Sequence, residues 1–281
     1  MNALEVSGLK KSYGDFSLNV SFALEQGKIT GFIGRNGAGK TTTIKSLLGF
    51  VHPDAGEIRF FSMPFAENEM KIKSRLGVVL GGVNYYPQKR LGTVAAVTSR
   101  FYPEWDDSLY RKYMQLFSLD ESKRISELSA GMKVKFSLAL ALSHSADLLI
   151  LDEPTSGLDP VVRDEILEMI YNYNKDGNRA VLLSSHITSD LEKICDYIVY
   201  IHDGKIIFNE EKDVLLNKYA VYSIDEKKLG ELDGDAFVRI IRREYGMEVL
   251  AEKDKMPHDF EYKPVTLDDI MLFYSKGEQI C

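Results

Sequence analysis

Short apolar runs alternate with amphipathic segments over roughly the first 210 residues, and this pattern predicts the elements of the chain. Runs that are apolar throughout, such as 29–33 and 148–151, predict buried strands, whereas apolar residues at three- and four-residue steps over 161–173 predict a helix. The same criteria predict strands over 4–6, 16–22, 57–61, 76–80, 180–183, 197–202 and 205–208, and helices over 39–48, 68–75, 131–142 and 189–195. Strands that alternate with helices indicate a mainly parallel α/β core.

The segment from 93 to 117 departs from this alternation, because its apolar residues recur at helical spacing with no strand between them. Pro103 divides the segment into two helices. We therefore expect a helical subdomain over about residues 90–143 within a first domain that covers 1–212.

The pattern weakens after Asp213. It predicts a strand over 219–224, a helix over 235–245, and a helix over 267–274 with Thr266 as its N-cap. A small α/β appendage is therefore expected over 213–281.

The composition is that of a soluble globular protein, and its charge is unevenly distributed. The 281 residues are 44% hydrophobic and 27% charged, which excludes a disordered chain, a collagen-like repeat and a coiled coil. Residues 1–208 hold 24 Lys+Arg and 25 Asp+Glu, a net charge of −1, whereas residues 209–281 hold 11 and 17, a net charge of −6. The acidic appendage is interpreted either as a solvated small subdomain or as a regulatory or dimer contact.

Cysteine usage and hydropathy indicate a cytoplasmic protein. Cys195 and Cys281 form neither a disulfide framework nor a metal set, and the first residues do not have the pattern of a signal peptide. The most apolar region, 136–151, is too short and too polar to cross a bilayer, which needs about 20 apolar residues. Any role at a membrane is therefore expected to depend on a partner.

A glycine-rich loop lies between the apolar run 29–33 and the helix that follows it. The motif G-x-x-x-x-G-K-[ST] is matched by Gly34, Arg35, Asn36, Gly37, Ala38, Gly39, Lys40 and Thr41. The glycines allow backbone amides to approach phosphate oxygens, and the helix N-terminus adds a favourable dipole. Lys40 can reach the β- and γ-phosphates, Thr41 can ligate Mg²⁺, and Thr42 can donate to a further phosphate oxygen.

Two acidic residues, Asp152 and Glu153, follow the buried strand at 148–151. The carboxyl end of a parallel strand lies beside the phosphate loop in an open α/β sheet. Asp152 is therefore placed to hold Mg²⁺, and Glu153 is placed to orient and polarise an attacking water.

Four further motifs resemble those of the ATP-binding subunits of ABC transporters. Residues 128–132, Leu-Ser-Ala-Gly-Met, resemble the LSGGQ signature, residues 156–159 the D-loop, and His186 the switch histidine, while Tyr13 stands where the family has an aromatic that stacks on adenine. With the phosphate loop they cover residues 4–208 in the family's order. The resemblance implies an α/β fold with a P-loop NTPase core of the ABC ATPase type, a helical subdomain, and ATP hydrolysis.

The family's mechanism implies a head-to-tail dimer with two ATP molecules between the phosphate loop of one subunit and the signature of the other. His186 would hydrogen-bond the γ-phosphate and orient Glu153, and Asp159 would link the two sites across the dimer. The residues that would contact the ATP of the partner subunit are Ser129, Ala130, Gly131 and Met132.

The resemblance also implies macromolecular partners. The permease must be a separate polypeptide, so the chain would lie at the inner face of the cell membrane without inserting into it. The second ATPase subunit would be an identical copy or a paralogue. Residues 101–106 resemble a branch of stand-alone ATPases linked to the export of peptides or antibiotics, which favours an exporter.

The chain departs from the family where the strand at 76–80 ends. Gly81 and Gly82 stand in place of the usual Q-loop glutamine, and the nearest glutamine is Gln88. Either Gln88 reaches back on a remodelled loop, or water replaces this Mg²⁺ ligand, and the second interpretation is favoured. Tyr85, Tyr86 and Pro87 follow at the place where a permease would dock, as an exposed interface or as a packed loop of the subdomain.

Two other functions compete with transport. An ABC ATPase that acts on nucleic acid or the ribosome usually carries two cores, a coiled coil or a zinc set, none of which the sequence shows, so no nucleic acid partner is expected. A regulatory nucleotide-binding protein without hydrolysis would fit the missing glutamine. However, it would not require Lys40, Asp152, Glu153 and His186, which are all present.

Overall fold

The computed structural model divides the chain into two compact units, Met1–Asn209 and Glu210–Cys281. The residues that the structure describes are 1–81, 85–225, 237–243, 246–257 and 260–278. No helix among them is both long enough and apolar enough to span a membrane.

A ten-stranded mixed sheet forms the centre of the first unit, with the strand order β5-β4-β1-β2-β10-β9-β3-β8-β7-β6. The strands are β1 (Asn2–Tyr13), β2 (Phe16–Glu25), β3 (Ile29–Ile33), β4 (Ala55–Phe60), β5 (Met63–Pro64), β6 (Leu76–Leu80), β7 (Leu148–Asp152), β8 (Ala180–Ser185), β9 (Tyr197–His202) and β10 (Lys205–Glu211). Strands β9, β3, β8, β7 and β6 are parallel, whereas β1 pairs antiparallel with β2 and β4. The expectation of a mainly parallel core holds only for the half of the sheet that carries the motifs.

Helices connect and cover these strands as the apolar spacing predicts. The helices of the first unit are α1 (Lys40–Leu47), α2 (Phe65–Lys73), α3 (Leu91–Thr98), α4 (Asp107–Leu116), α5 (Ala130–Leu142), α6 (Pro160–Tyr173) and α7 (Thr188–Ile194). The central strands β3, β7 and β8 are buried at every residue, which is why their sequences are apolar without alternation.

Helices α3, α4 and α5 enclose a hydrophobic core of their own. Leu91, Tyr110, Met114 and Phe136 are buried in it. The break between α3 and α4 contains Pro103, as predicted, and α4 starts where the Asp106 carboxylate accepts hydrogen bonds from two backbone amides. These helices lie within the range that the sequence predicts for a helical subdomain.

The second unit is built on a four-stranded antiparallel sheet with the order β12-β13-β11-β14. Its elements are α8 (Lys212–Lys218), β11 (Tyr219–Ile224), β12 (Phe237–Arg243), β13 (Gly246–Glu252), β14 (Tyr262–Pro264) and α9 (Leu267–Lys276). Thr266 caps α9 as predicted, because its hydroxyl accepts a hydrogen bond from the Asp269 amide at 3.1 Å.

The prediction of a helix over 235–245 is wrong. The described part of this range is the strand β12, in which Ile240 pairs with Val249 and Ile241 with Glu248 of β13. β-Branched residues favour strands, and a distant partner strand outweighs the local spacing. Residues 235, 236, 244 and 245 lie outside the described residues.

Candidate functional site

The glycine-rich loop between β3 and α1 borders a cavity of about 340 Å³. Gly37 and Gly39 have φ values of 83° and 116°, in the left-handed region that favours glycine. A Cβ on Gly34 would lie 2.5 Å from the carbonyl oxygen of Ile201, so a larger residue cannot fit there. Glycines therefore allow this loop shape without backbone strain at Gly37 and Gly39 and without a steric clash at Gly34.

Lys40 is buried at the start of α1, beneath this loop. Its Nζ donates a hydrogen bond to the Gly34 carbonyl at 2.6 Å and lies 3.5 Å from Oε1 of Glu153. The ammonium thus links the loop to the end of β7. The fold thus places Lys40 and Glu153, which the sequence predicts near the γ-phosphate and the attacking water, close together.

Asp152 is the last residue of β7, and its side chain is buried beside α1. The Thr41 hydroxyl donates to its Oδ2 at 3.3 Å, while Oδ1 is buried and makes no close hydrogen bond. Burial raises the pKa of the Asp152 carboxyl. A carboxylate oxygen without a partner, next to a hydroxyl oxygen, is a donor set that suits a hard divalent cation such as Mg²⁺.

Glu153 has a positive φ of 52°, which is unusual for a residue with a side chain. Its amide donates to the Ser184 carbonyl of β8 at 3.0 Å. Its Oε2 lies 2.5 Å from Nδ1 of His186, which follows the end of β8. The structure therefore brings together Glu153, which the sequence assigns to the attacking water, and His186, which the resemblance implies orients Glu153.

The cavity is lined by most of the residues that the phosphate-loop and acidic motifs predict. Those that line it are Arg35, Asn36, Gly37, Gly39, Lys40, Thr41, Thr42, Glu153 and His186. Ala38 is buried in the hydrophobic core instead. Phe16 and Ser156 also line the cavity, although the sequence did not predict either as a cavity residue. Phe16 pairs with Tyr13 across the β1–β2 turn, and this neighbouring aromatic was the available signal.

Tyr13 is 47% exposed and does not line the cavity. Nζ of Lys11 lies 5.6 Å from the centroid of its ring. Its predicted contact with adenine remains a prediction.

The signature residues lie at the start of α5, outside this cavity. Ser129 is exposed, and its hydroxyl accepts a hydrogen bond from the Met132 amide at 3.2 Å. A Cβ on Gly131 would lie 2.9 Å from Cγ1 of Val162, so glycine allows α5 to approach α6. Ala130 borders a second cavity of about 460 Å³, which Glu153 also lines.

Asp159 caps the N-terminus of α6. Its Oδ1 accepts hydrogen bonds from the amides of Val161 and Val162, both at 3.1 Å. The residue thus has a local structural contact, in addition to the role across a dimer that the resemblance implies.

Gln88 is paired elsewhere in the fold. Nη1 of Arg124 donates to its Oε1 at 3.0 Å. Gly81 follows β6, and a Cβ there would lie 3.0 Å from the carbonyl oxygen of Asp152. Residues 82–84 lie outside the described residues. The contact with Arg124 favours the interpretation in which Gln88 does not replace the Q-loop glutamine.

The two tyrosines that follow have different surroundings. Tyr85 packs edge-on against Phe136 of α5, with ring centroids 5.7 Å apart, and belongs to the helical subdomain's core. Tyr86 is 81% exposed. The surroundings of Tyr85 therefore fit the interpretation of a packed loop, whereas those of Tyr86 fit an exposed interface.

Comparison with known proteins identifies the family. Residues 18–156 match the sequence model of the family described as "ABC transporter". The lantibiotic transport ATP-binding protein SrtF of Streptococcus pyogenes is 32% identical over 213 residues, which cover 75% of this chain and 91% of that protein. This chain belongs to the ABC transporter family. The predicted family, the P-loop NTPase fold class and the nature of the chain as an ATPase subunit are thereby confirmed.

Two further relatives support the ABC assignment. The bacitracin transport ATP-binding protein BcrA of Bacillus licheniformis is 35% identical over 202 residues, 71% of this chain and 65% of that protein. A solved structure described as an ATP binding subunit of an ABC transporter has 27% identity and a TM-score of 0.69, and the match covers 75% of this chain and 90% of that one.

Proposed function

We propose that this ABC subunit hydrolyses ATP within a head-to-tail dimer and thereby drives a separate permease that exports its substrate. One observation carries the proposal: Lys40, Thr41, Glu153 and His186 converge on one cavity at the end of the glycine-rich loop. The cavity thus combines groups suited to phosphate binding with groups suited to activating a water.

The phosphates of ATP would bind in the glycine-rich loop. Backbone amides from Gly34 to Gly39 would face the phosphate oxygens, and the N-terminus of α1 adds a favourable dipole. Lys40 would exchange its hydrogen bond to the Gly34 carbonyl for the β- and γ-phosphate oxygens. Thr42 would donate to a further phosphate oxygen.

Mg²⁺ would be held by Thr41 and Asp152. Their oxygens are already neighbours, and the unpaired Oδ1 of Asp152 supplies an anionic ligand. The bound ion would supply positive charge against the phosphate oxygens.

Glu153 would orient the attacking water, and His186 would hold Glu153 in place. Phosphoryl transfer has a loose transition state, so positioning and electrostatic complementarity contribute more than basicity. The contact of 2.5 Å between His186 and Glu153 fixes one carboxylate oxygen and leaves Oε1 facing the Lys40 ammonium.

The second half of each site would come from a partner ATPase subunit, an identical copy or a paralogue. The partner's signature would present the N-terminus of its α5, with Ser129 and the Gly131 amide, to the γ-phosphate. Asp159 would contact the partner near its own site, and Tyr13 would stack on adenine.

The permease would dock on the helical subdomain, where Tyr86 presents an exposed ring. The subunit would then lie at the inner face of the cell membrane. Relatives named for bacitracin and lantibiotic transport favour a substrate of that class. The outward direction rests on the resemblance of residues 101–106 to the branch of export ATPases.

The docking proposal is tested by purifying the tagged subunit from detergent-solubilised membranes of cells that contain its permease. Tyr171 of α6 is a matched control, because it is also an exposed tyrosine but lies outside the helical subdomain. Wild type and Tyr171→Ala should recover a multispanning membrane protein, whereas Tyr86→Ala should recover less of it. Recovery of ribosomes or nucleic acid instead would overturn the transport proposal.

A further inference from the structure

A buried carboxylate connects α6, α7 and the loop that follows Glu153. Asp190 is only 1% exposed. Nε of Arg163 lies 2.7 Å from its Oδ1, and the Thr155 hydroxyl donates to its Oδ2 at 2.7 Å. Nη2 of Arg163 also donates to the Ser189 hydroxyl at 2.9 Å. Asp190 is thus hydrogen-bonded through Oδ2 and ion-paired through Oδ1, in each case with a side chain from another segment.

Each of these segments also carries a residue of the proposed site. Thr155 comes two residues after Glu153, and Arg163 comes four residues after Asp159. Asp190 itself comes four residues after His186. One carboxylate therefore joins the three chain segments on which the water-orienting glutamate, the histidine and the D-loop aspartate are placed.

A buried charge is costly unless it is paired on both sides, and such a pair is weak evidence of a gain in stability. The Asp190–Arg163 pair is more important here for holding backbone geometry than for stability. Glu153 has a backbone conformation that residues other than glycine rarely adopt. A strained conformation of this kind persists only where the surroundings over-determine it. The Thr155–Asp190 hydrogen bond fixes the chain immediately after the strained residue.

We propose that Asp190 is a positioning residue for ATP hydrolysis. It holds the Glu153–His186 pair at its working distance and keeps the D-loop in register with that pair. The proposal rests on the proposed function, since it assigns Asp190 to the same reaction. Asp190 does not line the cavity and acts through the residues it anchors.

The first test replaces Asp190 by asparagine, which keeps the size of the side chain and removes its charge. Asp164→Asn is the matched control, because Asp164 also pairs α6 with α7 through Lys193, but these side chains are 62% and 49% exposed. We expect kcat for ATP to fall by about 10- to 100-fold in Asp190→Asn, with the affinity for ATP changed by less than about threefold, since misplaced catalytic groups slow the reaction without weakening binding. Asp164→Asn should keep the wild-type kcat.

A second pair of variants tests the same role even if Asp190→Asn does not fold. Thr155→Val deletes the hydroxyl that reaches Asp190 and preserves the shape, whereas Thr155→Ser retains the hydroxyl. Thr155→Val should lower kcat, and Thr155→Ser should restore it. Activity is expressed per mole of bound ATP, so a loss of folded protein cannot imitate a loss of kcat.

The outcomes separate this inference from the proposed function. If turnover in the wild type depends on Glu153 but Asp190→Asn and Thr155→Val match the Asp164→Asn control, only the positioning role is overturned. If Glu153→Gln leaves turnover unchanged, the assignment of the site itself fails. An equal fall of kcat in Thr155→Val and Thr155→Ser would also contradict the role of the hydroxyl.

Discussion

The residues of the proposed site combine features that are unfavourable for folding alone. Asp152 is a buried carboxylate with an unpaired oxygen, and Glu153 occupies the left-handed backbone region. Such unfavourable features are expected at a binding site, because the bound ligand would pair with the charge that is unpaired in the free protein. Burial raises the pKa of Asp152, so the folded protein favours its protonated form more than the unfolded chain does.

Asp152→Asn tests this interpretation in two measurements. At neutral pH the ionised Asp152 lowers the free energy of unfolding, and this cost disappears as the pH falls through the raised pKa. We therefore expect the nucleotide-free variant to be at least as stable as wild type in urea denaturation. Its Mg²⁺-dependent ATPase activity should fall by about 100-fold or more, comparable to the loss of one strong electrostatic group.

A marked loss of stability in the nucleotide-free Asp152→Asn variant would show that the carboxylate supports the fold rather than a cation. Urea denaturation at several pH values completes the test. The difference in the free energy of unfolding between wild type and Asp152→Asn should become smaller as the pH falls through the raised pKa of Asp152.

Two aromatic residues compete for the adenine ring. Tyr13 stands where the family has the aromatic residue that stacks on adenine, whereas Phe16 lines the cavity. Stacking on a base contributes about 1–3 kcal/mol. Tyr13→Ala should therefore weaken ATP binding about fivefold or more in calorimetry, with Tyr171→Ala as the exposed control. An unchanged affinity in Tyr13→Ala, with a loss in Phe16→Ala, would assign the base to Phe16.

At the scale of elements, the glycine-rich loop is supported by the β9–β10 turn. The Gly204 amide donates to the Ala38 carbonyl at 3.0 Å, and its carbonyl accepts from the Asn19 amide at 2.7 Å. A Cβ on Gly204 would lie 2.1 Å from the Ser17 carbonyl oxygen. The turn between β9 and β10 therefore also supports the loop that would receive the phosphates.

Gly204→Ala should thus weaken ATP binding although Gly204 does not line the cavity. Gly177→Ala is the matched control, since Gly177 has a similar φ of 68° but nothing within 4 Å of an added Cβ. The control should lose only about 1–2 kcal/mol of stability from backbone strain and retain its ATP affinity. Equal ATP affinities in the two variants would argue against the support role.

Elements were predictable where burial alone dictates the pattern. The spans of β3, β6 and β11 agree with their predicted ranges. The strand β12 was not predictable, because it is stabilised by pairing with β13. The spacing of apolar residues within the segment itself does not reveal this pairing. The strands β1, β2 and β4 were predicted, but their antiparallel pairing was not, for the same reason.

The site shows the same division between local and distant information. Lys40 could be predicted because phosphate binding fixes the spacing of the glycine-rich motif. Asp152 and Glu153 could be predicted because they directly follow a buried strand of a parallel sheet. Phe16 and Asp190 belong to no motif, and only the folded chain shows that one lines the cavity and the other joins three segments.

At the scale of the whole molecule, the neutral part of the sequence carries every motif and the acidic part carries none. The net charge of residues 209–281 is −6, from 11 Lys+Arg and 17 Asp+Glu. Along the chain, the first compact unit ends at Asn209 and the second begins at Glu210, close to the domain boundary that the sequence predicts. The division into an ATPase domain over 1–212 and an appendage remains a prediction, as does the appendage's role in regulation or dimer contact.

The central claim is that Glu153 drives ATP hydrolysis within a dimer. Glu153→Gln preserves the shape of the side chain but cannot polarise water as a carboxylate does. We expect its turnover to fall by about 100- to 1,000-fold, the range for loss of one preorganised electrostatic group. ATP would then remain bound in an unopened dimer.

The most direct measurement is the sedimentation of Glu153→Gln with ATP and Mg²⁺, combined with the ATP content of each species. The account predicts a stable dimer that retains one unhydrolysed ATP per subunit, whereas wild type returns to monomers as it consumes ATP. A variant that stays monomeric with bound ATP, or one that hydrolyses ATP at the wild-type rate, would contradict it.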